Sequence, residues 1–124
     1  VVAFTSKGKL IRVYQHGSFL NAPWALALAP SDFGGYSHAL LVGQFGSGGI
    51  AAYNVTSGEF IGKVLDSGGN TIVIDGLWAL SFGSAATAGP LNTLYFTAGT
   101  DGESHGLFGS LTAVATTQSS GNGL

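Results

Sequence analysis

The sequence contains no cysteine and no methionine, and only 8% of its residues are charged. Without cysteine the chain can form no disulfide, thiol nucleophile or cysteine-ligated zinc site. Four Lys and Arg residues and a net charge of −2 provide no basic patch, so we expect no nucleic-acid partner. No apolar run approaches the roughly 20 residues of a membrane-spanning helix, and we expect no membrane span.

Few charges combined with 21 glycines in 124 residues indicate many tight turns between apolar segments. With so few charges, most side chains should be buried or should face a partner, and one short domain exposes too much surface for that. The start at Val1-Val2 without a methionine predicts a processed or partial chain, with any targeting segment upstream.

One apolar stretch occurs twice. The segment PWALALA at 23–29 returns as LWALSFG at 77–83, so that Trp78 follows Trp24 by 54 positions. The match continues with LLV at 40–42 and LYF at 94–96. A fixed period of this length, filled with short apolar runs, predicts an array of β repeats.

The pattern predicts an all-β fold, a partial β-propeller of about two and a quarter four-stranded antiparallel blades. We assign 1–15 to the outer hairpin of one blade, 23–65 to a full blade, 77–115 to three strands of the next, and 116–124 to a flexible tail. The Trp strands at 24–29 and 77–82 lack a polar face, which predicts burial on both sides. The hairpin strands at 1–15 and 50–64 alternate, which predicts outer strands with one polar face.

Five blocks carry a resemblance to a known family: NAPWALA at 21–27, LLVGQFG at 40–46, IDGLWAL at 74–80, NTLYFTAG at 92–99 and GLFGSLTAV at 106–114. They resemble the C-terminal third of an uncharacterised secreted family, the conserved hypothetical proteins associated with PEP-CTERM sorting. The resemblance implies a six-bladed propeller, a secreted location and missing N-terminal blades. It implies no activity, because that family has none established.

Two and a quarter blades cannot close a ring, and an unclosed end exposes a strand edge that promotes aggregation. We therefore expect the ring to be completed by the remaining blades of the same protein or by a homo-oligomer. Three copies of two blades would make six.

In a propeller, the connections 15–22, 44–49, 66–76 and 98–106 would lie on one face around the axis. Asn21 and Asp75 occupy the same repeat position there, directly before the innermost strand. Their oxygens suit a calcium ion as a cofactor. The alternative is that both side chains cap turns through their own backbone. His16 lies in the same set of connections.

The segment DGESH adds Asp101, Glu103 and His105 to the candidate metal ligands, and this cluster would also suit acid–base chemistry. It appears three residues longer than its counterpart at 44–49, so the alternative is a solvated surface loop. Neither Ser104 nor the other loop serines lie in a nucleophile-elbow context.

Trp24 and Trp78 could stack on sugars, but their apolar strand favours a packing role. Phe33, Tyr36 and Phe45 in the loops are better candidates for an exposed platform. Asn54-Val55-Thr56 fits the N-glycosylation acceptor and falls on a predicted hairpin tip, which makes Asn54 a candidate glycan site.

The leading functional hypothesis is a secreted binding or scaffold module that takes a small-molecule or glycan ligand through loops around the propeller axis. One alternative is a calcium-dependent, lactonase-like hydrolase, by analogy of fold alone. Another is a self-assembling structural protein. The sequence leaves open whether the protein is an enzyme.

Overall fold

A computed structural model describes residues 1–114, and the tail predicted at 116–124 lies outside that range. The prediction of an all-β fold with antiparallel strands is confirmed. Residues 1–114 form nine strands: β1 (Val2–Phe4), β2 (Leu10–Val13), β3 (Pro23–Leu28), β4 (Leu40–Gln44), β5 (Ile50–Tyr53), β6 (Phe60–Lys63), β7 (Leu77–Phe82), β8 (Thr93–Gly99) and β9 (His105–Thr112). Helix within this part of the chain is limited to two 3₁₀ turns, Gly34–Tyr36 and Ala86–Ala88, and a helical turn at Thr100–Glu103. Among residues 1–114 no helix is long and apolar enough to cross a membrane.

The strands form three separate sheets in chain order. The first is the hairpin β1-β2, the second has the order β3-β4-β5-β6, and the third has the order β7-β8-β9. Every pair is antiparallel. Consecutive strands are therefore neighbours, which short connections permit. Gly8 and Gly58, both with positive φ, lie in the turns that close the β1-β2 and β5-β6 hairpins.

The second sheet is the middle layer, because its two faces belong to two different cores. Leu41 and Ala52 belong to the core shared with the third sheet. Val42 and Tyr53 belong to a smaller core that includes Tyr14 beside the hairpin. Successive residues of a strand point to opposite faces, so an apolar strand such as β4 fills both cores. The three sheets thus stack face to face in the order of the chain.

Two predictions about burial are wrong. In β3, Trp24, Leu26 and Leu28 are exposed, and in β7, Ala79 and Ser81 are exposed, whereas burial on both sides was expected for both strands. The hairpin contacts the face that carries Val42 and Tyr53 and leaves the β3 part of that face open. In β5, all four residues are buried, whereas a polar face was expected, because both neighbouring layers cover this strand.

Candidate functional site

Four connections meet at one end of the sheets, which we call the loop end: 15–22, 44–49, 66–76 and 100–104. Gly46 N donates to Asn21 O at 3.1 Å, and Ile74 N donates to Gly48 O at 2.8 Å. Asp101 N donates to Asp75 Oδ2 at 2.9 Å. In antiparallel sheets alternate connections lie at the same end, so the observed hydrogen bonds follow from the strand order.

Trp24 and Trp78 both lie at interruptions of the strand pairing. The register shifts between Pro23 and Ala25 in β3, and between Leu77 and Leu80 in β7. Such bulges re-aim side chains and occur near binding sites. Here they bring the two indoles together.

The two indole rings form the centre of an aromatic cluster at the loop end. Their centroids are 4.6 Å apart in an edge-to-face arrangement, which is a favourable geometry for aromatic pairs. The ring of Phe45 lies 4.5 Å from that of Trp78, tilted by 36°. Trp24 remains 66% exposed, and the cluster therefore presents an aromatic surface to solvent.

The predicted roles of the aromatic residues are partly reversed. Trp24 is not a packed core residue, because no layer covers its side of β3. Phe33 and Tyr36 are buried, so the prediction that they form an exposed platform is wrong. Phe33 packs against Phe82 at 4.9 Å, and the Tyr36 hydroxyl accepts a hydrogen bond from Leu65 N at 2.9 Å.

Gln44 holds the entry to β3 in place and was not among the residues selected from the sequence. Its side chain is buried, where a polar group needs partners. Its Oε1 accepts from Asn21 N at 2.7 Å, and its Nε2 donates to Val42 O at 3.1 Å. A glutamine at the end of an otherwise apolar strand was the available sequence signal.

An acidic group borders the aromatic cluster. Asp101 follows the end of β8, and Ser104 Oγ donates to its main-chain oxygen at 2.7 Å. A Cβ on Gly99 would lie 3.0 Å from Glu103 Cγ and 3.3 Å from Trp78 Nε1. The side chains of Glu103 and Trp78 therefore both approach Gly99. The four connections together contain four acidic residues and no Lys or Arg: Asp66, Asp75, Asp101 and Glu103.

The predicted metal ligands fall into two places. The main chain of Asn21 is bonded to Gln44 and Gly46 on the second sheet, whereas Asp75 is bonded to Asp101 on the third. Among residues 1–114 no three His, Asp or Glu side chains come together as a metal-binding group. The calcium site on Asn21, Asp75, Asp101, Glu103 and His105 stays a prediction.

Ser104, His105 and Asp101 are close together without forming a catalytic relay. Ser104 Oγ lies 2.9 Å from His105 Nδ1, and Asp101 Oδ2 lies 3.8 Å from the same nitrogen. A Ser–His–Asp relay requires the hydroxyl and the carboxylate on opposite ring nitrogens. The arrangement therefore acts as a local turn motif.

The turn Thr100–Glu103 breaks the equality of the two repeats. Before it, Thr97 corresponds to Gly43 at the 54-residue offset. Gly43 pairs with Ile50 and Thr97 pairs with Phe108. Phe108 therefore corresponds to Ile50, and the offset between the repeats is 58 residues after the turn. The insertion is therefore four residues, not the three expected from the sequence.

Asn54 lies at an exposed turn between β5 and β6, as the acceptor motif predicts for a hairpin tip. Its Oδ1 accepts from Thr56 N and Ser57 N, each at 2.9 Å. This Asx turn fixes the shape of the tip. Glycosylation itself stays a prediction.

Comparison with known proteins finds relatives of unknown function. The chain is similar to three uncharacterised proteins of Acanthamoeba polyphaga mimivirus. The first is 34% identical over 108 residues, which are 87% of this chain and 26% of the relative. The second is 32% identical over 111 residues, 90% of this chain and 28% of the relative, and the third is 33% identical over 94 residues, 76% of this chain and 17% of the relative. The chain thus spans roughly a quarter or less of the curated relatives it matches. No family model matches, and no solved structure matches.

Proposed function

We propose that the chain forms consecutive blades of a β-propeller in a secreted glycan-binding module, and that the aromatic cluster at the loop end is its binding site. The stack of three antiparallel sheets in chain order, with β3 and β7 as neighbours, supports the propeller architecture. The mimivirus relatives support it as well, because chains about four times longer than the matched segment have room for the other blades. The resemblance to the PEP-CTERM-associated family supports the secreted location.

The aromatic cluster of Trp24, Trp78 and Phe45 carries the functional proposal. Three rings that are held against one another where the connections of the loop end meet offer a rigid surface to the apolar face of a pyranose ring. Ligand sites combine such aromatic surface with a few placed polar groups. Glu103, whose side chain approaches Gly99 as that of Trp78 does, would supply acceptor oxygens for sugar hydroxyls.

The charges of the loop end restrict the class of glycan. Four acidic residues without a neighbouring Lys or Arg in the connections repel an anionic sugar and attract a cationic one. The site is therefore suited to neutral sugars and amino sugars, and unsuited to uronic acids.

Isothermal titration calorimetry with three hexasaccharides tests the proposal: a β-1,4 glucose hexamer, a glucosamine hexamer and a galacturonate hexamer. We expect binding in the order glucosamine, glucose, galacturonate, with the first weakened by added salt. Trp24→Ala should weaken binding at least tenfold. Phe4→Ala is the matched control, because Phe4 is also an exposed aromatic residue but belongs to the hairpin. Unchanged binding by Trp24→Ala, or no binding of any hexamer, would refute the proposal.

A further inference from the structure

The outer face of the third sheet has a chemistry that the matching face of the second sheet lacks. At the repeat-matched positions, the second sheet buries six small or aliphatic residues against the third: Ala25, Ala27, Leu41, Gly43, Ile50 and Ala52. The third sheet carries Ala79, Ser81, Tyr95, Thr97, Phe108 and Ser110 there. We call these six residues the open face. Three aliphatic or glycine positions have become Ser or Thr, so the open face is more polar than the matching face of the second sheet.

A cleft of about 540 Å³ lies beside this open face, between the strands and the loop that follows β7. Its lining residues are separate from the aromatic cluster at the loop end. The rings of Tyr95 and Phe108 form its floor, stacked at 5.7 Å and 12° from parallel, and Phe108 is 69% exposed. The volume falls within the usual range for small-molecule sites.

The wall of the cleft is a strained loop. Ala85 and Ala86 have φ values of 69° and 50°, a left-handed conformation that costs a non-glycine residue free energy. Gly89 packs so closely against the Tyr95 ring that a Cβ there would overlap the hydroxyl. A strained backbone persists only where the surrounding structure determines it. The two consecutive alanines and the glycine therefore indicate that this loop has a fixed shape.

We propose that this cleft binds an uncharged aromatic ligand of two or three rings that bears hydroxyl or carbonyl substituents. This goes beyond the glycan site at the loop end and does not depend on it. The near-parallel Tyr95 and Phe108 rings extend naturally to a further flat ring, since offset stacking is a favoured aromatic geometry. The polar side chains of the lining belong to Ser81, Ser84, Thr87 and Tyr95, and no charged side chain of residues 1–114 lines the cleft.

A pyranose fits this lining less well than a flat ring does. Its hydroxyls surround the ring, whereas the side-chain hydroxyls of the cleft come from β7, β8 and the loop between them, and Phe108 on β9 supplies none. Sugar hydroxyls facing Phe108 would lose their water without gaining a partner, which is costly. The absence of charged side chains excludes an ionic ligand for the same reason.

Amide chemical-shift mapping with naphthalene-2,6-diol tests the proposal on the whole chain. We expect shifts confined to 84–89, Tyr95 and Phe108, with none at Trp24 or Trp78. Decahydronaphthalene-2,6-diol, which has the same hydroxyls on saturated rings, is the matched control and should produce none. Phe108→Ser should raise the dissociation constant at least tenfold, and Phe4→Ser should leave it unchanged.

Three results would overturn this proposal: no shifts with the aromatic diol, equal shifts with the saturated diol, or shifts of 84–89 with the glucose hexamer. The last result would make the cleft a sugar site. Light scattering supplies a further check, because a mass of two copies that falls to one with Phe108→Ser would assign the open face to a second copy. If glycan binding at Trp24 fails, each of these results still tests the cleft, because the cleft and the aromatic cluster share no residue.

Discussion

The same leucine occurs at one repeat position in two environments, and this allows a direct test of the layer arrangement. Leu26 and Leu80 are separated by the 54-residue period, but Leu80 is 7% exposed between the second and third sheets and Leu26 is 56% exposed. Truncation to alanine removes three carbons, each worth about 0.8 kcal/mol when fully buried. Leu80→Ala also leaves a cavity between two packed sheets, and we expect a total loss of about 3 kcal/mol.

For Leu26→Ala we expect a loss of about 1 kcal/mol, because less than half of the side chain is buried and solvent fills the vacated space. Urea unfolding followed by circular dichroism measures both losses, provided that the slope with denaturant is the same for the two variants and the wild type. Equal losses would refute the reasoning. They would show that a further layer covers β3 in solution, and the open surface assigned to Trp24 would then be wrong.

Three further outcomes are expected. Gly76→Ala should lower the free energy of unfolding by about 2 kcal/mol or more, because Gly76 has a φ of +66° and a Cβ there would overlap the Gly99 carbonyl. Gly102 has a similar φ but open space around it, so Gly102→Ala should lower the free energy of unfolding by only about 1 kcal/mol. Thermal unfolding measures both losses. Burial raises the pKa of Tyr53 above its ordinary value of 10.0, so the phenol loses its proton at a lower pH in the unfolded chain than in the folded one. The free energy of unfolding should therefore fall as the pH rises past about 10, and it should fall less in Tyr53→Phe, which has no hydroxyl to ionise. Mass spectrometry of chain secreted from eukaryotic cells should show a glycan at Asn54 that glycosidase removes and Thr56→Ala abolishes; an unmodified wild type would contradict this.

The repeat made the strands and the all-β class predictable. Period, turn glycines and apolar runs are local signals, and they are present in the residues of each strand. The exposure of Trp24 was not predictable, because it depends on how far the hairpin extends over the second sheet. Nothing near Trp24 in the sequence carries that information. The burial of Phe33 was missed for a related reason, since its partner Phe82 is 49 positions away.

The location of the candidate site could be predicted from the sequence, but the side chains that form it and their contacts could not. The strand order already places Asn21, Asp75 and the 100–104 turn at one end. Gln44 was missed because a single polar residue after an apolar strand is compatible with a surface turn until its partners are known. The bulges that turn the two indoles toward each other depend on the register of pairing, which the sequence leaves undetermined.

The acidic loop end has a consequence for how the molecule lies on a charged surface. Lys7 and Lys9 lie in the β1-β2 turn, and Arg12 reaches toward Gly58 in the turn between β5 and β6, so three of the four cations lie at the end opposite Trp24. Asp32 and Glu59 lie at the same end, so these five residues leave it one net positive charge, against the four carboxylates of the loop end. This separation of charge gives the molecule a dipole along its strands. A negatively charged polymer or resin would attract the cationic end and leave the indoles facing the medium. Adsorption would therefore orient the proposed binding surface outward.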